Sequence, residues 1–281
     1  FVLGSKNGGG KTSVLECCAL TVVMGILANE YNVSTLTDNT YSLVRSGENI
    51  SQLHANFDIK ENNAFPLSVD LEINRSKGFR HPIFSGSHDY LEILRYYFHQ
   101  TKASLGFDGH PLSHIFTSSS EPLIIPPLLY FNGYRKTSVT NPTIGMITSD
   151  HGSNSDINSI SMFKIEILRA LMARASLFDG LQEDQAHETL EKLNQMLRQY
   201  TDTEIGKLRP LGNNTVDIQI VRTSDNQSFS FDGLSSGQKE IISTLFLIWK
   251  YTRYRPSIVL IDEPELHLNA EWHRSFIYQL H

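Results

Sequence analysis

The stretch that most constrains this chain is GSKNGGGKTS, which runs from Gly4 to Ser13. It follows the apolar letters FVL and precedes a long apolar run, so it should connect a buried strand to a helix. Glycine has no Cβ, and consecutive glycines let successive backbone N–H groups point into one concavity. A helix that begins at this concavity adds its positive dipole end. The stretch therefore predicts a binding site for a phosphate group.

The spelling of this loop departs at one position from the pattern G-x-x-x-x-G-K-[ST] of nucleotide-binding loops. The first glycine of the pattern should be residue 5, which is Ser5. In this interpretation Lys11 reaches the β- and γ-phosphates, and Thr12 offers its hydroxyl to magnesium. The competing interpretation is a glycine-rich turn beside a solvated lysine. The predicted nucleotide-binding residues of the loop are Asn7, Gly8, Gly9, Gly10, Lys11, Thr12 and Ser13.

A pair of acids late in the chain supports the nucleotide interpretation. Asp262 and Glu263 follow the apolar run from Ile258 to Ile261, which is typical of a central parallel strand buried on both faces. A carboxylate at the C-terminal end of such a strand holds magnesium beside a phosphate loop, which is the role expected of Asp262. Glu263 can polarise the attacking water as a general base. The alternative is that both acids are solvated loop residues.

A serine-tipped helix is the third element of the pattern. The letters LSSGQ, from Leu234 to Gln238, open an amphipathic run that contains Ile241 and Phe246 on its apolar side. Small hydroxyl and glycine residues at a helix N-terminus form a second anion site. Taken alone, the stretch would be better explained as an ordinary serine cap on a core helix.

The three stretches together resemble the head of an ABC-class ATPase. LSSGQ fits the family signature L-S-x-G-Q, the loop keeps the N-G-x-G-K core, and the order loop, signature, strand with Asp-Glu is the family's. The resemblance implies an α/β fold of the P-loop NTPase type, with a mixed sheet flanked by helices and an α-helical insert. It also implies ATP and Mg²⁺ as ligands, with Lys11 and Glu263 as catalytic residues and Thr12 and Asp262 as magnesium ligands.

Dimerisation follows from the same resemblance. Two ABC heads associate head to tail, and each nucleotide lies between the phosphate loop of one copy and the signature of the other. Ser235 and Gly237, with Gln238, would then bind the γ-phosphate held at the partner's Lys11. A head-to-tail homodimer, or a higher oligomer built from it, is therefore expected.

The letters DEPELHL indicate the branch of the family. They are similar to soluble ATPases related to the overcoming-lysogenization-defect nucleases and to the ATPase subunits of Septu and retron antiphage systems, although Asn269 and Ala270 replace that group's final His-Pro pair. This implies a cytoplasmic ATPase that regulates a nuclease or toxin subunit in bacterial antiphage defence. No nuclease motif is visible, so another chain or segment would have to cut. The alternatives are an SMC- or RecF-like repair ATPase that clamps DNA or RNA, and a non-catalytic ATP sensor.

Net charge, apolar runs and cysteine content limit the functional classes and partners that are expected. The net charge of −6 argues against a generally basic nucleic-acid coat. No apolar run reaches the roughly 20 residues of a membrane span, so no membrane partner is expected. The two cysteines, Cys17 and Cys18, are neighbours, so a disulfide framework is excluded and a reducing compartment fits. Both cysteines are expected to lie on the first helix and to pack in the core of the protein.

The resemblance implies that 1–281 forms one ATPase head, which is expected to be incomplete at both ends. Its first part, at 1–30, is the strand and helix on either side of the glycine loop. A variable helical insert lies at 137–205, and a lobe at 229–281 contains the signature helix and the strand that precedes Asp262. The adenine contact, the γ-phosphate-sensing histidine and the Q-loop glutamine are not assigned. The predicted strands are 1–4, 51–59, 66–73, 127–131 and a strand–turn–strand unit at 214–231, with Val69, Leu71, Ile73, Val216, Ile218 and Ile220 facing the core. The predicted helices are 12–30, 87–100, 160–178, 184–200 and the signature helix.

Overall fold

The structure is a computed structural model in which the described residues form helices and small β-sheets. This is the mixed α/β class that the sequence predicts. The chain divides into two compact units, which are described separately. The described residues are 11–27, 44, 47–57, 67–76, 78–79, 83–85, 123–125, 128–133, 140–143, 162–175, 183–212, 214–253, 257–264, 272, 274, 276 and 278.

The first unit combines the described parts of Phe1–Ser118, Leu123–Tyr130 and Ile258–Asp262, and the second unit the remainder. Within the described residues, no helix is both long enough and apolar enough to cross a membrane. In chain order the elements are α1 (Lys11–Leu27), β1 (Ile50–Phe57), β2 (Leu67–Asn74), β3 (Gly78–Phe79), β4 (Ile83–Ser85), β5 (Leu123–Ile125), β6 (Leu128–Phe131), α2 (Met162–Arg174), α3 (Glu183–Thr201), β7 (Thr203–Pro210), β8 (Val216–Arg222), β9 (Ser228–Ser230), a 3₁₀ turn (Phe231–Gly233), α4 (Ser236–Thr252) and β10 (Ile258–Ile261).

The helix predicted after the glycine loop is present as α1. The stretch from Ala19 to Val23 is buried, whereas Val14 is 48% exposed. Cys17 is half-buried and Cys18 is exposed, so the prediction that both cysteines pack in the core is wrong for Cys18. The reason is helical geometry, because Cys18 lies four residues after Val14 and thus on the same outward face.

The first sheet of this unit contains β1, β2, β3 and β4, and its pairs are antiparallel. Leu53 faces Leu71 across β1 and β2, and α1 packs against both strands. The predicted alternation of β2 is confirmed: Val69, Leu71 and Ile73 are buried, whereas Asp70 is exposed. The inward residues therefore form the core beneath α1.

The second sheet has the strand order β10-β6-β5. Strand β6 is buried at all four positions, and the predicted turn at Asn132 and Gly133 follows it. The strand predicted at Ile258–Ile261 is present as β10, but its four residues are half-buried, so the prediction that it is buried on both faces is wrong. Among the described strands, β10 pairs with β6 at the edge of the sheet.

The second unit contains the two predicted helices α2 and α3, the antiparallel sheet β7-β8-β9, and α4. As predicted, Val216, Ile218 and Ile220 are buried on one face of β8. Helix α2 packs against α3 and α4, and α3 packs against β7. Strand β7 was not predicted from the sequence.

Several predictions concern segments outside the described residues. They are the strand at 1–4, the loop residues Asn7, Gly8, Gly9 and Gly10, the helix at 87–100, and the turn after Glu263 that carries Asn269 and Ala270.

Candidate functional site

The first turn of α1 and the end of β10 meet in the first unit. Thr12 is the second residue of α1, and Asp262 directly follows β10. The hydroxyl of Thr12 donates a hydrogen bond of 2.8 Å to Oδ2 of Asp262. Helix α1 packs against β10, which brings the two residues together, and Asp262 is only 5% exposed. The two residues that the sequence proposes as magnesium ligands are therefore adjacent in space.

The donor set of this pair fits magnesium. Magnesium in nucleotide sites is bound through one or two protein oxygens, and substrate phosphates and water complete its coordination. A hydroxyl and a carboxylate 2.8 Å apart supply such a pair. In the described part of the chain, no group of three or more His, Cys, Asp or Glu side chains could hold a metal ion by itself. The pair therefore supplies two protein oxygens that could hold a magnesium ion.

A second acid lies beside this pair and was missed by sequence analysis. Glu16 follows Thr12 by four residues, so it lies on the same face of α1. Its carboxyl is half-buried, and burial raises its pKa above the ordinary value, with a further increase from the negative charge of Asp262. Burial also raises the pKa of the Tyr130 hydroxyl, and the negative charges of Glu16 and Asp262 raise it further. The spacing of four residues from Thr12 was the signal that could have identified Glu16.

The predicted base, Glu263, has an unusual backbone conformation. Its φ angle is +47°, in the left-handed region that residues other than glycine, asparagine and aspartate seldom adopt. Its side chain is exposed, in contrast to the buried Asp262. Residues held in such conformations cost about 1–3 kcal/mol each and cluster at functional sites. The backbone thus turns sharply between the buried acid and the exposed one.

The signature stretch forms the N-terminus of α4 in the second unit. Ser235 is the N-cap: its hydroxyl oxygen accepts a hydrogen bond of 3.3 Å from the backbone N–H of Gln238. In return, the Gln238 side chain accepts one of 3.0 Å from the backbone N–H of Ser235. Ser235 and Ser236 are exposed, whereas Gly237 is buried by the chain's own atoms. The serine cap is thus present, and in it the Ser235 hydroxyl acts as an acceptor.

The C-terminal end of α4 is held by a buried carboxylate on α2. Glu166 is 4% exposed and pairs with Lys250, with Arg169 at 3.2 Å and with the hydroxyl of Tyr251 at 3.1 Å. Burial alone would raise the pKa of Glu166, but the positive charges of Lys250 and Arg169 and the hydrogen bonds from Lys250 and Tyr251 outweigh it. Its pKa is therefore lowered, and the carboxylate stays charged.

The predicted site residues are divided between the two units, with Thr12 and Asp262 in the first and Glu263 in the second. Lys11, Thr12 and Ser13 begin α1, and Thr12 contacts Asp262. Ser235, Gly237 and Gln238 lie together at the start of α4, in the second unit.

Neither the protein-family models nor the curated proteins with which the chain was compared give a match. The functional assignment therefore depends on the three motifs and on the geometry above.

Proposed function

We propose that this chain is an ABC-class ATPase, with a P-loop NTPase fold, that binds ATP and Mg²⁺ between two copies of itself. The observation that supports this most is the hydrogen bond between Thr12 and Asp262. Residues of two motifs from distant parts of the sequence are in contact, as the magnesium ligands of a nucleotide site are.

The residues of the chain divide the chemistry between them. Lys11 neutralises the charge on the β- and γ-phosphates, and Thr12 and Asp262 hold magnesium. Magnesium bound there would supply further charge neutralisation at the transferring phosphate. Glu263 takes a proton from the attacking water as general base. Its side chain is exposed, so water can reach it.

The signature helix acts on the nucleotide of the other copy. Ser235 and Ser236 are exposed at the N-terminus of a helix of 17 residues, where the helix dipole favours an anion. Ser235 accepts from the Gln238 N–H through its oxygen, so its hydroxyl proton can still be donated to a γ-phosphate. Each nucleotide is thereby held by Lys11 of one copy and Ser235 of the other.

The biological role proposed for this ATPase is regulation of a nuclease or toxin subunit in bacterial antiphage defence. Support comes from the letters DEPELHL, which resemble the ATPases of such systems. The expected partner is encoded beside this chain and co-purifies with it in an ATP-dependent manner. Recovery of a nuclease or toxin from the neighbouring gene supports this role, and a repair or transport protein in that position contradicts it.

The ATPase assignment is tested by turnover. Wild-type protein should hydrolyse ATP only with magnesium, and Glu263→Gln should lose about 100-fold or more in kcat while still binding ATP. Lys11→Ala should lose ATP binding itself. Glu191→Gln, a change at an exposed acid on α3, is the matched control and should keep wild-type turnover. Wild-type turnover by Glu263→Gln would show that Glu263 is not the base.

A further inference from the structure

A buried lysine contacts the turn that precedes the signature. Lys164, on α2, is 1% exposed, and its ammonium lies 2.7 Å from Oδ2 of Asp232, 3.3 Å from the carbonyl oxygen of Thr140 and 3.5 Å from Oδ1 of Asn141. An ammonium has three donors and no acceptor, so three oxygens can satisfy it. A buried charge without such partners would be strongly unfavourable. These three contacts therefore hold the ammonium of Lys164 in this position.

Its main partner, Asp232, makes hydrogen bonds through its backbone N–H, its backbone carbonyl and one of its two carboxylate oxygens. The backbone N–H of Asp232 donates to the hydroxyl of Ser230 at 3.2 Å, its backbone carbonyl accepts from Nζ of Lys239 at 3.2 Å, and its carboxylate accepts from Lys164. Asp232 lies at the centre of the 3₁₀ turn, whose last hydrogen bond runs from the N–H of Leu234 to the carbonyl of Phe231. Ser235 follows at once, so the position of Asp232 determines where α4 begins.

The neighbouring residue on α2 adds apolar contacts at the same place. The ring of Phe163 lies 5.2 Å from that of Phe231, in the turn, and 5.4 Å edge-on from that of Phe246, within α4. All three rings are buried. Helix α2 therefore contacts the turn through both the Phe163 ring and the Lys164–Asp232 pair, and it contacts the signature helix through the Phe163 ring.

We propose that Lys164 is a positioning residue of the ATP site, which fixes the serine tip of the signature helix through Asp232. This inference rests on the proposed function. The capping box orients Ser235 relative to α4 only, whereas the charge pair anchors the turn to α2. Without the ammonium, the carboxylate of Asp232, 19% exposed, would turn towards water and shift the start of α4. The defect would then appear at the nucleotide bound by the other copy, not at the chain's own loop.

The first test separates binding from turnover. Lys164→Met keeps the length of the side chain and removes its charge. We expect its affinity for ATP to stay within about twofold of wild type, and its kcat and ATP-dependent dimerisation to fall about tenfold or more. Asp232→Asn, which preserves the shape of the acid, should behave in the same way. Lys207→Met, at an exposed lysine of β7, is the matched control and should match wild type. Wild-type turnover by Lys164→Met would overturn the inference.

The second test mixes pairs of impaired variants. A variant that is impaired because it misfolds would not recover activity on mixing. Lys11→Ala has a defective loop and an intact signature, so mixing it with Lys164→Met should assemble one intact site in each mixed dimer. A mixture of Lys11→Ala with Ser235→Asp, which carries a defect in the signature itself, is the reference. We expect both mixtures to recover hydrolysis to within about twofold of each other.

The outcomes of the mixing test distinguish the two proposals. If the reference mixture recovers and the mixtures with Lys164→Met and with Asp232→Asn do not, the positioning role is wrong and the shared nucleotide site stands. If the reference mixture itself stays inactive, the head-to-tail site is wrong and the role of Lys164 falls with it.

Discussion

The hydroxyl of Thr12 lies 2.8 Å from a carboxylate oxygen of Asp262, although 250 positions separate the two residues in the chain. Thr12 is the second residue of a helix, and Asp262 directly follows a short strand. A pair of residues so distant in sequence is fixed only by the packing of α1 against β10. The pair is thus a feature of the fold. We expect magnesium binding to depend on both of its residues.

Removal of the Thr12 hydroxyl should weaken magnesium binding without unfolding the chain. Thr12→Val keeps the shape of the side chain, and we expect a loss of about 100-fold in magnesium-dependent ATP turnover, which corresponds to about 3 kcal/mol of charge stabilisation. Thr12→Ser retains the hydroxyl and should stay close to wild type. The measurement is kcat/KM over a magnesium titration. Equal magnesium dependence of Thr12→Val and wild type would contradict the assignment.

Two substitutions at Ser235 should separate its capping role from its role at the phosphate. Ser235→Ala removes the cap and should lower the free energy of unfolding by about 1 kcal/mol. Ser235→Asp keeps an equally good cap, so its stability should match that of wild type. However, its negative charge would face the γ-phosphate, so ATP-dependent dimerisation should be lost. Urea unfolding and light scattering provide the two measurements, and a Ser235→Asp protein that dimerises normally would leave only the capping role.

The buried carboxylate of Glu166 should stabilise the second unit in a pH-dependent way. Glu166→Gln leaves Lys250 without its partner, and we expect a loss of about 3 kcal/mol in unfolding free energy near neutral pH. The pKa of Glu166 is lowered in the folded chain, so its contribution is present above the ordinary value of 4.5 and is lost as the pH falls through the lowered value. The difference between variant and wild type should therefore shrink in acid. Urea titrations at neutral and acid pH measure it, and an acid-independent difference would contradict the prediction.

The charged carboxylate of Glu16 should destabilise the folded chain, whereas that of Glu166 stabilises it, because the pKa of Glu16 is raised. Between the ordinary value of 4.5 and the raised value, the folded chain binds more protons than the unfolded chain, so stability falls as the pH rises. Without nucleotide or magnesium, Glu16→Gln should be more stable than wild type at neutral pH, and the difference should vanish in acid. Glu48→Gln, at an exposed acid, controls for the change in net charge. A Glu16→Gln protein less stable than wild type at neutral pH would contradict this.

The sequence was most informative where one local pattern determined one element. The alternation at Val69, Leu71 and Ile73 predicted β2 and its inward face, because a strand places every second side chain on one side. The serine of LSSGQ predicted the start of α4, because its hydroxyl satisfies an N–H that the helix leaves unpaired. The motif spelling also predicted that Thr12 and Asp262 belong to one site.

Strand β7 could not be recognised because a bulge breaks its period. The pairing of β7 with β8 shifts between Ile205 and Leu208, so these apolar residues stand three positions apart and the alternation is lost. Gly206 lies within the bulge, where an added Cβ would come within 2.8 Å of Cγ2 of Val221 and 3.2 Å of the carbonyl oxygen of Gln219. The glycine that weakens the strand pattern is thus required by the close approach of β8.

The buried charges of α2 were also beyond sequence analysis. Lys164 and Glu166 are charged residues within a helical pattern, and nothing local to them indicates burial. Their partners Asp232 and Lys250 are 68 and 84 positions away, so only the tertiary packing of α2 against α4 creates the pairs. Exposure of Cys18 has the same origin, since it depends on which face of α1 meets the sheet.

The most direct test of a nucleotide shared between two copies is the mass of Glu263→Gln in solution with ATP and magnesium. Light scattering coupled to gel filtration should give twice the chain mass of 31.8 kDa with ATP and the single chain mass without it. Bound nucleotide should equal one ATP per chain, and Ser235→Asp introduced into the same protein should abolish the doubling. A chain that saturates with ATP and keeps the same mass with and without the nucleotide would contradict the shared site.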